Sequence, residues 1–488
     1  SGLAGLNTFH NERFIRRTDG YGLLQAGAFD ESNAATNLLY NKGYENNRYQ
    51  IASSLTARYK SFISVTLTGS LDKLSTLPHR SWLPGGHAGF AFNAGDLPNL
   101  SLPLWMSNAK LFGSIGAMPV EAPFYIDPSY QQALQYDVTD PILYAERIPL
   151  QSNDGLQPEI LHDREAGFEL ELLQNRVEMS MSLYTREYRN AYTPVSTPNG
   201  FQLVSGTAWR NRGIEISLEA TPLQGTVQWN STLSFTRART RVNSLPVGHN
   251  RIAIAGFNSL STNLVEGQPY GVLVGTRYLR DDEGKRVIGD DGFPLVDPTP
   301  AVIGDPNPDW MLGWRNEWRV KGVSLEAVFD IRHGGDRWNG TANVMNYLGT
   351  SNESGALRDV EGYVFEGVTN AGEVNAVPVD FAPATGDVYT NRWTRYGFAG
   401  VGEEAIEDAS WVRLRYVAIG YALPRHMFDR FGLKKIEFKV FANNLWLHTK
   451  YTGVDPETSM SSAPGSLGLD YFNLPGTRTM GIALKIGF

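Results

Sequence analysis

Long runs in which apolar and polar residues alternate constrain this chain more than any other feature of its sequence. In residues 48–60, most apolar side chains occupy odd positions and most polar ones even positions, and the alternation resumes after Ser61. The same alternation recurs in residues 168–172, 177–183, 214–220, 227–235, 325–331 and 480–488. A period of two places each set on its own face of a β-strand. The sequence therefore predicts an all-β protein.

The predicted strands are long enough to cross a lipid bilayer. The alternating runs extend over about 10 to 14 residues, whereas an ordinary strand has about 5 or 6 and a tilted transmembrane strand needs about 9 to 11. Charged residues make up 19% of the chain and hydrophobic residues 42%. A barrel tolerates this composition because only alternate strand residues face lipid. We therefore expect a transmembrane antiparallel β-barrel in the bacterial outer membrane.

Composition and motifs argue against several other classes of protein. The net charge of −8 disfavours nucleic-acid binding, which needs a basic surface. The chain has no Cys, and its eight His lack a metal-ligand spacing. Acidic residues in 281–291 lack the spacing of an EF-hand, so a solvated hairpin tip is favoured over a calcium site. No phosphate-binding loop or nucleophile motif occurs, and we expect neither enzymatic activity, metal nor cofactor.

Connections between the predicted strands alternate in length. Short turns fall near Ser61 and at 174–175, 222–225 and 321–322. The long links are 118–163, 238–308, 334–408 and 448–478. Short periplasmic turns opposite long extracellular loops are typical of outer-membrane barrels.

The number of strands bears on whether the chain closes a barrel alone. The pattern predicts about fifteen strands, starting near residues 9, 20, 48, 62, 86, 107, 164, 176, 209, 225, 309, 322, 409, 435 and 479. Counting back from a periplasmic C-terminus, the first strand also runs inward and begins on the outer side. An odd set of this kind does not close, since bacterial barrels have even strand numbers. We expect residues 1–488 to be the C-terminal portion of a barrel of about 22 strands, without its plug and first strands.

Several motifs keep the order and spacing found in one family of transporters. They are Asn211-Arg212-Gly213-Ile214-Glu215, Glu266-Gly267-Gln268-Pro269-Tyr270-Gly271, the 303–310 segment IGDPNPDW, the 407–415 segment EDASWVRLR, Asn443-Asn444-Leu445 and the 451–457 segment YTGVDPE. From about residue 48 to 488 the chain resembles the SusC/RagA family of TonB-dependent receptors from Bacteroidota. The resemblance implies import of large oligosaccharides or peptides beneath a SusD-like surface lipoprotein. It also implies energy from the TonB complex, coupled through an N-terminal plug segment that has no counterpart here.

The last residue, Phe488, follows four apolar residues at a period of two, Met480, Ile482, Leu484 and Ile486. This combination resembles the signal that the outer-membrane assembly machinery reads. We predict that Phe488 serves in outer-membrane targeting.

Candidate substrate contacts follow from the alternation and from one loop. Glu326, Asp330 and Arg332 share one strand face, and Arg413 and Arg415 share another. Aromatic rings beside amide and charged groups suit sugar rings or peptide backbones. The candidate substrate-binding residues are Arg332, Asp336, Trp338, Asn339, Tyr347, Arg413 and Arg415. The alternative interpretation is ordinary loop packing.

Two other functions remain open at this point. A passive outer-membrane channel would need neither a partner chain nor a plug. A surface adhesin or a subunit of a secretion complex would use the long loops to bind another protein, because loops carry function on reused barrels.

Overall fold

The computed structural model describes residues 1–24, 33–77, 81–122, 150–151, 155–197, 200–257, 259–382, 391–397, 400–428, 430, 432–460 and 465–487. Phe488 lies outside the described residues, so its predicted targeting role stays a prediction.

Strands dominate the described chain. The first twelve are β1 (Gly2–Leu23), β2 (Ala34–Tyr59), β3 (Ile63–Leu74), β4 (Leu83–Asn93), β5 (Met106–Val120), β6 (Leu150–Gln151), β7 (Glu159–Leu172), β8 (Val177–Thr197), β9 (Gly200–Gln224), β10 (Val227–Ser244), β11 (Arg251–Gly256) and β12 (Leu260–Val265). The others are β13 (Val272–Tyr278), β14 (Val287–Ile288), β15 (Val296–Gly304), β16 (Trp310–Val320), β17 (Val323–His333), β18 (Asp336–Asn339), β19 (Val368–Thr369), β20 (Ile406–Asp408), β21 (Trp411–Ala422), β22 (Lys435–Thr449), β23 (Leu469–Asp470) and β24 (Thr479–Gly487). The described residues also form three short α-helices, α1 (Gly340–Tyr347), α2 (Asn352–Leu357) and α3 (Arg392–Arg395). None of the described helices has the length and apolarity to cross a membrane.

One fifteen-stranded sheet forms the barrel wall and confirms the predicted all-β class. Its hydrogen-bonded order is β1-β2-β3-β4-β5-β7-β8-β9-β10-β16-β17-β21-β22-β24, and the two-residue β6 pairs with β9 in parallel. Each neighbouring pair along the main path is antiparallel. Strands that follow one another along the wall therefore run in alternating directions across it.

The register gives the wall an apolar exposed face and a polar inner face. On the exposed face, Leu67 of β3 is 52% exposed and Ile482 of β24 is 80% exposed. On the inner face, the Ser54 hydroxyl lies 3.2 Å from that of Thr68, and a second hydroxyl pair, Thr56 with Thr66 at 3.1 Å, links β2 and β3 further along. The alternation in the sequence corresponds to these two faces because successive strand residues point in opposite directions.

The predicted strand directions are wrong at the N-terminal end. The starts predicted near residues 9 and 20 belong to one strand, β1, so the antiparallel path has fourteen members. Gly2 pairs with Leu55, beside the short turn that follows Tyr59. The first strand thus begins at the end of the wall with the short turns, not on the outer side, and the odd-number argument fails. The continuation of β1 was hidden because residues 13–19 lack clear alternation: Phe14 and Ile15 are adjacent, and four polar residues follow them.

Three long loops at the opposite end of the wall pack into one unit, here called the outer loop layer (the described residues within 245–309, 334–410 and 450–478). It contains the four-stranded sheet β11-β12-β13-β15, the three-stranded sheet β20-β18-β23 and the parallel pair β14-β19. One hydrophobic core includes Leu260 and Leu264 from the first loop, Trp338 from the second and Leu469 from the third. The three loops consequently form one packed layer and are not independent of one another.

Candidate functional site

A β-bulge in β21 and β22 sets the direction of Arg415. Phe329 of β17 faces Leu414, but the next residue, Val328, faces Tyr416, so Arg415 is skipped in the pairing. A bulge of this kind changes which face the following side chains occupy. Arg415 and Tyr416 consequently both reach inner-face partners.

Asn444 explains why the partner strand can bulge here. Its backbone φ is +51°, a left-handed conformation that Asn adopts more readily than most residues. Its amide oxygen accepts a hydrogen bond from Arg415 at 3.3 Å, and its amide nitrogen donates to the carbonyl of Thr477 at 3.0 Å. The Asn443-Asn444-Leu445 motif therefore holds both Arg415 and the chain leading into β24.

Arg415 lies between two carboxylates. Its Nε donates to Asp330 Oδ2 at 2.6 Å, and its two terminal nitrogens donate to the two oxygens of Glu457 at 2.9 and 2.7 Å. This two-bond pairing fixes the orientation of both planar groups. The carboxylates come from a wall strand and from the outer loop layer, so Arg415 joins the two.

Arg413 makes a second, more buried junction. Its Nη2 lies 2.6 Å from Asp455 Oδ1, and its Nε lies 3.2 Å from Glu457 Oε2. Arg413 is 4% exposed and Asp455 5% exposed. Through these contacts, Asp455 and Glu457 anchor their loop to the barrel wall. Asp330, Arg413, Arg415, Asp455 and Glu457 together are called the anchor cluster below.

Arg332 and Asp336 tie the 303–310 motif to the wall. Arg332 Nη2 donates to the carbonyl of Pro306 at 2.6 Å. Asp336 Oδ2 accepts from the amide of Asp305 at 2.8 Å, and the amide of Asp336 donates to the carbonyl of Asp305 at 2.7 Å. Burial raises the pKa of Asp336, with the nearby Asp305 charge adding to it and the amide hydrogen bond opposing it. Both candidates are thus engaged in holding one turn.

Trp338 and Asn339 lie inside the outer loop layer. Trp338 is 2% exposed, and its ring stacks on Tyr471 at 6.2 Å and meets Phe257 edge-on at 5.7 Å. Asn339 is fully buried; its amide nitrogen donates to Glu407 at 2.8 Å and its oxygen caps α1 by accepting from the amide of Ala342. In this conformation neither side chain offers a surface to a ligand, and their packing agrees with the alternative interpretation.

Tyr347, in contrast, keeps an accessible ring. It is 44% exposed at the end of α1. A Cβ at Gly397 would come within 2.3 Å of the Tyr347 ring, so that position must be glycine for the ring to rest on the backbone. Among the seven predicted contacts, the structure joins Arg413 and Arg415 in one cluster, and it leaves Tyr347 as an aromatic surface.

A group of buried polar residues around Arg337 was missed by the sequence reasoning. Arg337 is 2% exposed and lies 5.8 Å over the ring of Tyr451. Burial lowers its pKa, while the nearby Tyr451 and Asp470 oppose that effect. The Tyr451 hydroxyl donates to Asp470 Oδ2 at 2.5 Å. No sequence pattern marked this group, because its members come from two different loops.

Within the outer loop layer, Glu403 is an acid-sensitive contact. It pairs with Arg280 at 2.5 Å and accepts from the amide of Tyr278 at 3.0 Å. Burial raises the pKa of Glu403, but these hydrogen bonds and the Arg280 charge outweigh burial and hold it below its ordinary value of 4.5. A carboxylate of this kind stabilises the fold above its ordinary pKa, and the contribution is lost as the pH falls through the lowered value.

We therefore expect the segments around residues 278 and 403 to open locally, and their backbone amides to lose protection from hydrogen exchange, as the pH falls below 4.5. Hydrogen exchange quenched from a series of acidic buffers would measure this locally. Glu403→Gln has no carboxyl group to titrate at this position. Its amide protection should therefore not fall at the pH where the wild-type protection falls. An identical step in the variant would show that another group is responsible.

Among the described residues, no group of three or more His, Asp or Glu is placed to hold a metal ion. The acidic segment after Leu279 forms a tight turn, in which the Asp281 carboxylate accepts from the amides of Glu283 and Lys285 at 3.0 and 2.8 Å. The Asp281 carboxylate thus accepts hydrogen bonds from backbone amides of its own turn.

Comparison with known proteins gives relatives of one kind. No protein-family model matches the chain. The chain is 25% identical over 375 residues to "TonB-dependent receptor P3" of Formosa agariphila, and 23% identical over 368 residues to "TonB-dependent receptor P26" of the same organism. Each alignment covers 69% of this chain and 35% of the receptor. The chain therefore spans about a third of the length of these relatives.

Solved structures share the fold over nearly the whole chain. The RagAB peptide importer in its open-open state has a TM-score of 0.68 and 17% identity, covering 99% of this chain and 53% of that one. Its closed-closed state gives the same TM-score and covers 54% of that chain. The family resemblance seen in the motifs is confirmed. In sequence and in fold, this chain is similar to the barrel part of SusC/RagA-type TonB-dependent transporters of the bacterial outer membrane.

Proposed function

We propose that this chain forms the barrel wall and outer loop layer of an active importer for large nutrients, oligosaccharides or peptides. In this proposal it works with a SusD-like surface lipoprotein, and a plug with early barrel strands couples it to TonB. The observation that carries the proposal is the shared core of the outer loop layer, since it joins three loops into one firm extracellular surface. Such a surface suits a lipoprotein partner, whereas a passive channel has no use for it.

The test is uptake by cells that produce the transporter. Fluorescent oligopeptides and oligosaccharides are offered to wild-type cells, to cells lacking the gene and to cells lacking TonB. Uptake of one class should stop in both mutants, and a surface lipoprotein should purify with the chain. Uptake that continues without TonB would favour a passive channel, and unchanged uptake without the gene would favour an adhesin or a secretion subunit.

Within this function, we propose Tyr347 as a substrate contact. Its ring is exposed, yet packing on Gly397 fixes its position, so the side chain loses little conformational entropy when a substrate binds. An aromatic contact contributes roughly 0.5–1.5 kcal/mol beyond area burial. Tyr347→Ala should therefore weaken substrate binding about two- to twelvefold without changing the amount of folded transporter.

A matched control is Tyr363→Ala. Tyr363 is also 44% exposed and lies in the same loop layer, but its ring packs on Phe365 and Phe381. Titration of the purified transporter complex with the imported substrate would compare the two variants. Equal affinities for Tyr347→Ala and wild type would remove Tyr347 from the binding site.

A further inference from the structure

Beyond the anchor cluster and the loop layer, the exposed face of β7–β10 carries an unusual set of arginines. Going outward along the strands, three successive rows of cross-strand partners can be followed. They are Ala166–Leu183–Ile214–Arg237, then Arg164–Thr185–Arg212–Arg239, then His162–Glu187–Arg210–Arg241. The first row is apolar except for Arg237, and two rows rich in arginine follow it directly.

These rows lie on the same face as the apolar band. Phe168, Met181, Ile216 and Phe235 form the row just before them and share their alternation. Register shifts occur only before residue 231 and after residues 188 and 242 in these pairings, so no bulge reverses the faces in between. Leu183 is 52% exposed, as a side chain facing lipid should be. The arginines therefore point away from the barrel interior.

Their height places them at the outer edge of the bilayer. Thr185 lies eight residues beyond Val177, the first residue of β8 after its short turn. At about 3.3 Å per residue this is roughly 26 Å along the strand. A tilt of about 40° reduces it to roughly 20 Å, and the next row, at Glu187, lies two residues or roughly 5 Å higher. The apolar band of such barrels is about 25 Å tall, so these two rows reach its outer edge. The basic rows thus meet the headgroups of the outer leaflet.

Two of the arginine pairs are direct cross-strand partners, Arg212 with Arg239 and Arg210 with Arg241. Like charges directly opposite one another destabilise a sheet. Arg239 pairs with Asp309, and Arg210 lies 3.5 Å from Glu187. These two acids neutralise only part of the positive charge in the arginine rows, although the chain as a whole carries a net charge of −8. An anion between the strands would relieve the remaining repulsion.

The rows also border a cavity of about 210 Å³. Its lining residues are His162, Arg164, Thr185, Glu187, Arg210 and Arg212. The Nε of Arg210 is buried there, with no hydrogen-bond partner in the described part of the chain. Guanidinium groups bind phosphate through two parallel hydrogen bonds, and several around one cavity form a phosphate site. The apolar row beneath would contact acyl chains.

We propose that this face of β7–β10 binds the phosphorylated headgroup of an outer-leaflet glycolipid. Free phosphate could bind the same guanidinium groups as a phosphorylated headgroup. The continuous apolar surface at Ala166, Leu183 and Ile214, however, favours a ligand with acyl chains. Arginines that merely extend toward water would not need to face one another across adjacent strands.

The test uses the triple variant Arg164→Gln, Arg212→Gln and Arg237→Gln, in the transporter purified from outer membranes. The control is Arg58→Gln, Arg251→Gln and Arg358→Gln, which removes the same charge from exposed positions elsewhere. Bound glycolipid is measured by native mass spectrometry. Binding is then measured to nanodiscs that contain lipid A with or without its phosphates, and to inorganic phosphate. Heat-modifiable migration verifies folding, and Arg212→Gln alone serves if the triple variant does not fold.

We expect the triple variant to lose at least about tenfold of its bound phosphorylated glycolipid, and the single variant a smaller share, while the control keeps it. Lipid A without phosphate should bind as weakly to wild type as phosphorylated lipid A does to the variant. Unchanged lipid binding in the variant would overturn the proposal. So would phosphate binding that is as tight as lipid binding, or a variant that loses a bound protein instead of lipid.

Discussion

Replacing Arg413 by Ala will lower the free energy of unfolding by roughly 3–5 kcal/mol, because the change leaves a buried carboxylate without its cation. Asp455 lies 2.6 Å from Arg413 and both side chains are almost inaccessible to water. Glu457 also loses a contact at 3.2 Å, although it keeps its pairing with Arg415. Denaturant titration of the folded transporter in detergent, followed by tryptophan fluorescence, would measure the loss.

Two controls make the cause specific. Lys110→Ala breaks an exposed pair with Glu169 and should cost no more than about 1 kcal/mol. Arg413→Met combined with Asp455→Leu removes both buried charges and should recover most of the stability lost in Arg413→Ala. If the double variant were as unstable as the single one, lost packing rather than an unpaired charge would be the cause.

Trp338→Ala should destabilise the outer loop layer by about 3–5 kcal/mol, because it opens a cavity in a closely packed aromatic core. The ring lies against both Tyr471 and Phe257, which come from different loops. The effect should therefore spread to β11–β13 and β23 and leave the barrel wall intact. Hydrogen exchange of these segments, compared with that of β2–β5, would show the difference.

Trp105→Ala is the matched control, because Trp105 is 53% exposed and lies outside the loop layer. Its exchange pattern should match that of the wild-type chain. Trp338→Ala would also weaken substrate binding, but only together with the loss of protection in the loop layer. Weaker binding with normal protection would instead support the direct contact predicted from the sequence.

The barrel wall was predictable because it depends on a local rule. Alternation at a period of two sets the face of each residue without reference to its partners, and the exposed residues of β3 and β24 follow it. The rule fails where alternation is weak. In the first 33 residues, polar side chains follow one another, and one long strand was divided into two.

The candidate site was less predictable because it depends on contacts between distant segments. The inner-face direction of Arg415 follows from a bulge, and the alternation alone does not reveal one. The burial of Trp338 depends on Tyr471 and Phe257, and nothing near residue 338 in the sequence indicates these neighbours. Aromatic and amide residues in a loop predicted a contact surface, whereas most of them form the interior of the loop layer.

The shared core of the three loops also bears on the order in which the molecule can fold. Each wall strand pairs mainly with a near neighbour in sequence, so hairpins can form with little cost of loop closure. The loop core instead requires Leu469 to meet Leu260, almost half a chain earlier. Contacts with such separation slow folding. We therefore expect the extracellular surface to mature last, after the final hairpin has entered the membrane, so that a stalled intermediate would display a finished wall beneath unassembled loops.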